Sequence, residues 1–359
     1  MLYVKAEIDG KNMHRLPAML LMAQTTAACA GDWPVQVWDP PFDFSQPASS
    51  VLYTPLDHAT RPWRFCIAYP HLKDAYWLSV NYGMVEEAQH LGVRFRLVEA
   101  GGYPNLERQI EQIESCVAMG ADGLIVGAVS FDGLSDLLGR VSQTMPVIAS
   151  VNDVADRGVT AKVGVSWYDM GAAAGKVVAD AHPRGSPPVR VAWFPGPEGA
   201  GWVRFVDAGF RDALRDSAAQ IVATLYGDTG LEIQVRLVET ALDDHPDLDY
   251  IVGNAPTAEA AVSILRARGL EGRIKIVSDY MTHAVMRGLQ RGKIVASPND
   301  FPVFQGRLSI EMAVRAVEGR LTFRHVGPRI AVVRSGSEIS LPGSAYFAPA
   351  SFVPVFSLE

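Results

Sequence analysis

One feature constrains this chain more than any other: a short unbroken apolar run that keeps returning, each time followed by a helix-length stretch of different period. Phe65, Cys66, Ile67 and Ala68 form the first such run. With no polar residue among them, the strand they make has to be covered on both faces, as in the interior of a parallel sheet. Tyr69-Pro70 ends it, and Val80, Met84 and Val85 then mark a helix. Residues 93–98 alternate as a second strand. Leu106, Ile110, Ile113, Val117 and Ala118 recur at helical spacing after Asn105, which is expected to cap that helix. A strand at 124–127, a helix with Leu134, Leu137, Leu138 and Val141, and a strand at 146–151 continue the rhythm. Strand, helix, strand in this order predicts a right-handed parallel sheet with helices on both faces.

The second half rebuilds the pattern. Strands are expected at 189–193, 221–225, 250–253 and 274–277, with helices between them and a final long helix over about 303–317. Two similar halves with a late helix free to cross back predict an α/β fold of two lobes, each a doubly wound parallel sheet flanked by helices, with a cleft between. The acidic, Gly158-containing stretch 152–160 interrupts the rhythm and is read as the crossing. The expected division is 63–154 with 301–329 in one lobe and 155–300 with 330–359 in the other. The proline-rich segment 31–62, carrying Trp33 and Trp38, is expected to be an arm with little regular structure packed over the domain.

Before that arm, Met13-His14-Arg15, the apolar run 16–22 and Ala28-Cys29-Ala30 have the order of a secretory signal peptide, so 1–30 is read as a leader with an upstream extension that directs export. Thr26-Ala27-Ala28 before Cys29 fits a lipoprotein site less well than simple cleavage. Past the leader, Cys66 and Cys116 remain. A disulfide between them stays open in an oxidising compartment, but a core strand and a helix face make two buried free thiols the expectation.

A chain of 359 residues with 48% hydrophobic residues can bury cores for two domains. Its net charge of −7 without a basic stripe excludes sequence-independent nucleic-acid binding, which needs cations to displace counterions. No run is long enough for a membrane span, so no direct membrane insertion is expected.

The loops after the expected strands are rich in aromatics: Tyr76 and Trp77, Tyr103, Trp167 and Tyr168, and Tyr280, with Asp74 and Asp279 nearby. Doubly wound sheets bring strand ends to one edge, where ligands bind, so these residues are expected to converge on the cleft. Core packing accounts for any single ring; the recurrence at loop after loop favours a binding role. Ring faces with a carboxylate suit a methylated cationic nitrogen, or alternatively a sugar stacked on the rings. Enzymatic chemistry finds no support. Gly196-Pro197-Glu198-Gly199-Ala200-Gly201 lacks the Lys-Ser/Thr of a P-loop and the dinucleotide spacing. Nucleophile elbows and zinc motifs are missing too. His245 in Asp243-Asp244-His245-Pro246-Asp247 reads as a solvated acidic turn rather than a metal site. No cofactor is expected.

Five stretches carry a resemblance: 74–84 (DAYWLSVNYGM), 99–105 (EAGGYPN), 163–168 (VGVSWY), Pro195-Gly196-Pro197 and 250–253 (YIVG). Together with the order of the lobes, they resemble the TorT family of the type I periplasmic binding proteins over about Trp63 to Gln305. That resemblance implies a periplasmic protein that binds trimethylamine N-oxide and partners the periplasmic domain of the sensor histidine kinase TorS, with no catalysis. It implies that Tyr76, Trp77, Tyr103, Trp167 and Tyr280 wall a trimethylammonium box, and that Asp74 faces the positive nitrogen or orients a water. A Tyr hydroxyl is then the expected donor to the N-oxide oxygen. Sugar-binding relatives place an Arg where this chain has Glu198-Gly199-Ala200-Gly201-Trp202, which weighs against a sugar. The alternative is the solute-binding subunit of an ABC importer for a sugar or methylated amine.

Overall fold

A computed structural model describes residues 31–337 and 346–359; the expected leader at 1–30 lies outside the described residues. The segment expected to be an irregular arm holds two strands, β1 (Trp33–Val37) and β2 (Ser49–Tyr53), paired antiparallel. Prolines hid them. Pro34 sits on β1, but this is a sheet-margin hairpin, where a missing N–H is tolerated. β1 joins the first sheet through antiparallel pairing with β13 (His325–Gly327).

That sheet is built on β3 (Arg64–Tyr69), β4 (Arg94–Glu99), β5 (Gly123–Val126), β6 (Val147–Ser150) and β7 (Ala161–Val163), parallel in the order β4-β3-β5-β6-β7. The second sheet runs β12 (Ala296–Asn299), β11 (Lys275–Ser278), β10 (Tyr250–Gly253), β8 (Val189–Phe194) and β9 (Ala219–Thr224), also parallel, with β14 (Ala331–Arg334) antiparallel at the margin. Counted along the chain, each set of parallel strands has the order second, first, third, fourth, fifth. Each lobe is thus the same doubly wound unit, with a switch point beside its first strand.

The expected division of the chain needs two corrections. β7 pairs with β6 and β13 in the first sheet, so the chain crosses at 164–166 and not at 152–160. No helix separates β6 from β7, which made the loop between them look like the end of a lobe. β15 (Ser357–Leu358) pairs with β4, also in the first sheet. Further crossings at 300–301 and 328–330 complete the connection, and the last helix, Pro302–Val317, packs back on the first sheet.

Alternation along β3 divides the first lobe's core. Phe65, Ile67 and Tyr69 face the side covered by α1 (Ala75–Leu91) and the last helix, whereas Cys66 and Ala68 face α2 (Leu106–Ala118) and α3 (Ser135–Val141), among Ile113, Leu124 and Leu138. Cys66 and Cys116 are joined by a disulfide with Cα atoms 5.8 Å apart, which corrects the expectation of free thiols. Burial and bonding are compatible here, because Cys116 lies on the buried stripe of α2 directly over β3. Asn105 precedes α2 but gives no side-chain cap; its Nδ2 donates to the Ala100 carbonyl at 2.9 Å instead. No helix among the described residues is long and apolar enough to cross a membrane.

Candidate ligand-binding site

The loops leaving β3 and β8, the two switch-point strands, face each other across the lobes. On the β3 side, Asp74 caps α1 by accepting the Trp77 N–H at 3.1 Å. This cap fixes the first turn so that Tyr76 and Trp77 both turn inward, 4% and 2% exposed. The Trp77 ring lies against Gly127, where a Cβ would come within 2.5 Å of it. On the crossing between lobes, Ser166 caps α4 (Trp167–Ala181) by accepting the Asp169 N–H, which places Trp167 at the helix start. The indole Nε1 of Trp167 donates to the Val151 carbonyl at 3.0 Å, and Val151 holds a φ of 68°, a costly conformation for a β-branched residue that aims this carbonyl at the indole.

Asp74, Tyr76, Trp77, Tyr103, Trp167 and Tyr280, the six residues singled out in the sequence, line one pocket. Asn152, Trp202 and Thr229 complete its wall. The rings are mutually packed: Tyr76 lies 5.3 Å from Tyr280 at 74°, Trp167 lies 5.0 Å from Trp202, and Trp167 meets Tyr280 edge to face at 6.4 Å and 90°. Tyr168 is not part of it; half exposed, it donates to Asp212 at 2.8 Å. Trp202 was hidden in the sequence inside a glycine-rich loop and was read only as a missing Arg. Its place at the start of α5 (Gly201–Leu214), after a switch-point strand, was the signal available. Asn152 and Thr229 sit in loops with no pattern to mark them.

The free cavity between the rings is about 10 Å³, close to the room one water molecule needs. That is far below the ~300–1,000 Å³ usual for drug-sized ligands, so the rings stand nearly closed on one another and admit only a small ligand that parts them. Asp74 is its one charged lining residue; no Lys or Arg lines it. Burial pushes the Asp74 carboxyl up from its usual range, while nearby His71 and the N–H groups of Trp77 and Tyr76 oppose this. The Tyr280 hydroxyl donates to Asp74 Oδ2 at 3.5 Å. Behind the rings, Tyr76 donates to Asp300 at 2.5 Å, and Gln305 Nε2 donates to Asp300 at 2.7 Å. Asp279 lies buried beyond the lining, both carboxyl oxygens without a partner, and burial beside Asp300 pushes its carboxyl far up. An uncharged acid at that depth avoids a large desolvation cost.

The lobes also meet outside the pocket. His71 Nε2 and Thr229 Oγ1 are 2.9 Å apart, Lys73 pairs with Asp228 at 3.8 Å, and the Arg204 guanidinium lies 4.5 Å over the Phe131 ring. These contacts hold a closed arrangement that shields the rings from water. Among the described residues no group of three or more His, Cys, Asp or Glu is placed to hold a metal ion.

Residues 62–348 match the family described as periplasmic binding proteins and sugar binding domain of LacI family. The periplasmic protein TorT of Escherichia coli strain K12 is 38% identical over 304 residues, covering 84% of this chain and 86% of that protein. An ABC transporter solute-binding protein from Bradyrhizobium sp. BTAi1, solved with bound bis-tris, is 47% identical with a TM-score of 0.77, covering 90% of this chain and 98% of that one. The TorS sensor domain–TorT complex solved in the presence of TMAO (trimethylamine N-oxide) gives 38% identity and a TM-score of 0.74, covering 82% of this chain and 100% of the matched one.

Proposed function

We propose a function from a fixed premise: this chain belongs to the periplasmic binding proteins, and within them to the TorT family. It is a periplasmic receptor that binds trimethylamine N-oxide between its lobes and regulates a TorS-type sensor histidine kinase by contact with the kinase's periplasmic domain. The observation that carries the reading is the pocket itself. Rings from both lobes surround a small space whose one charged lining residue is a carboxylate. Ring faces attract a methylated, positively charged nitrogen that can donate no hydrogen bond, and Asp74 complements the same charge. A sugar presents hydroxyls instead, and several polar groups of this wall are already engaged within the protein: Tyr76 on Asp300, Asn152 on Tyr103 and Ala128, Thr229 with His71, and Tyr280 on Asp74.

Signalling needs no covalent step. A ligand that touches both lobes favours the closed arrangement, and the kinase reads the population of that arrangement through differential contact. In this reading the leader directs export and is removed.

A second reading draws support from the Bradyrhizobium protein, described as an importer's solute-binding protein and solved with bis-tris, a tertiary amine. Delivery of a methylated amine to a permease would use the same box. The two readings part at the partner. The purified chain mixed with the periplasmic domain of a TorS-type sensor kinase is expected to sediment as a complex, with an affinity that trimethylamine N-oxide changes. No association with or without the ligand contradicts the sensor reading and favours the importer.

A further inference from the structure

The first turn of α5, in the second lobe, presses one face on the first lobe. Gly201, Arg204 and Phe205 stand at positions i, i+3 and i+4, which a helix presents together. Opposite them are Phe131, in the loop after β5, and Asp153, in the loop between β6 and β7. The Arg204 guanidinium lies 4.5 Å over the Phe131 ring and 4.9 Å over Phe205, and the two rings are 5.6 Å apart. Gly201 comes closer still. A Cβ built on it would run into the backbone carbonyl oxygen of Asp153 and come within 3.2 Å of the Phe131 Cβ. Its φ is not in the left-handed region, so the backbone there accepts any residue and only the lack of space calls for glycine.

The carbonyl is held where it stands. Asp153 pairs with Lys162, both side chains buried, and the Ala155 N–H donates to the Phe131 carbonyl at 2.9 Å, which ties the two first-lobe loops together. Further along α5, Gly209 supplies a contrast: a Cβ there would run into the Tyr168 carbonyl, but Tyr168 belongs to α4 of the same lobe. A side chain at 209 disturbs the second lobe whatever the lobes do, whereas one at 201 meets an obstacle only when they close. The contact also borders the pocket, since Asn152 precedes Asp153, Trp202 follows Gly201, and both line it.

We propose that Gly201 is the positioning residue that sets how far the lobes close. Without a side chain at 201, α5 seats against the Asp153 carbonyl and carries Trp202 into the box, and Arg204 holds the seat across the Phe131 ring through a cation–ring contact. A methyl group at 201 keeps the lobes apart. This steric stop belongs to the lobes and not to any ligand; its bearing on affinity rests on the function proposed above. Where only the closed form surrounds a ligand, apparent affinity falls in proportion to the population of that form.

Spin labels at Glu107→Cys and Glu232→Cys, exposed at the starts of α2 and α6 (Leu231–Asp244) in opposite lobes, test the stop. Cys66 and Cys116 are bonded to each other and take no label. Double electron–electron resonance then reads the interlobe distance of the mature protein, with and without Gly201→Ala and with and without trimethylamine N-oxide. The wild type is expected to reach a short, closed distance that the N-oxide populates further, and Gly201→Ala to stay at the long one and bind about tenfold more weakly or worse by calorimetry. In urea without ligand, Gly201→Ala is expected to keep the wild-type midpoint, and Gly209→Ala to lower it. Gly201→Ala reaching the closed distance, or losing stability as Gly209→Ala does, overturns the stop, and so does a wild type that never shows the closed distance. A wild type that closes to the same extent with and without the N-oxide, while Gly201→Ala stays open, upholds the stop and overturns the ligand reading alone.

Discussion

Trp167→Ala is expected to weaken trimethylamine N-oxide binding by at least ~30-fold, from the roughly 2 kcal/mol of a desolvated cation–ring contact. The indole stands where the chain crosses between the lobes, fixed by the Ser166 cap and by its bond to the Val151 carbonyl. It packs against both Trp202 and Tyr280, which also meet each other at 6.2 Å, so truncation opens the box at this cluster and lets water reach the cation. Trp167→Phe keeps a ring face and is expected to lose far less. Calorimetry on both variants checks this. An unchanged affinity in Trp167→Ala would show that the rings are core packing only.

The second large effect concerns stability and leaves the site alone. Cys66 and Cys116 close a loop with a sequence separation of 50. Chain entropy for a loop of that length gives about 4 kcal/mol of stabilisation through the unfolded state. The double variant Cys66→Ala/Cys116→Ala is therefore expected to lose about that much in urea unfolding. Its ligand affinity should match the wild type, because Cys66 lies near the start of β3 and the binding loop follows the strand's other end. A loss of affinity at unchanged stability would contradict this division.

How far the sequence carries depends on what each feature needs. The parallel strands were legible because burial on both faces demands unbroken apolar runs, as at 65–68, and the helices because their buried stripes keep a period near 3.6. The convergence of Asp74, Tyr76, Trp77, Tyr103, Trp167 and Tyr280 was legible for a topological reason: all follow strands or strand-like turns whose carboxyl ends meet at one edge. Less was visible where pairing is long-range. β1 and β2 take their place through β13, nearly three hundred residues away, and no local pattern announces that partner. The Cys66–Cys116 bond depends on α2 lying over β3, a packing relation that spacing does not encode. Asn152 and Thr229 act through single polar atoms in irregular loops, where one residue type carries little information.

The central claim is that this pocket selects a small methylated dipole over a sugar. Calorimetric titration of the wild-type mature protein with trimethylamine N-oxide, trimethylamine and ribose tests it most directly. The account predicts saturable binding of the N-oxide, weaker binding of the amine and none of ribose. Ribose binding, or silence towards both nitrogen compounds, would contradict it.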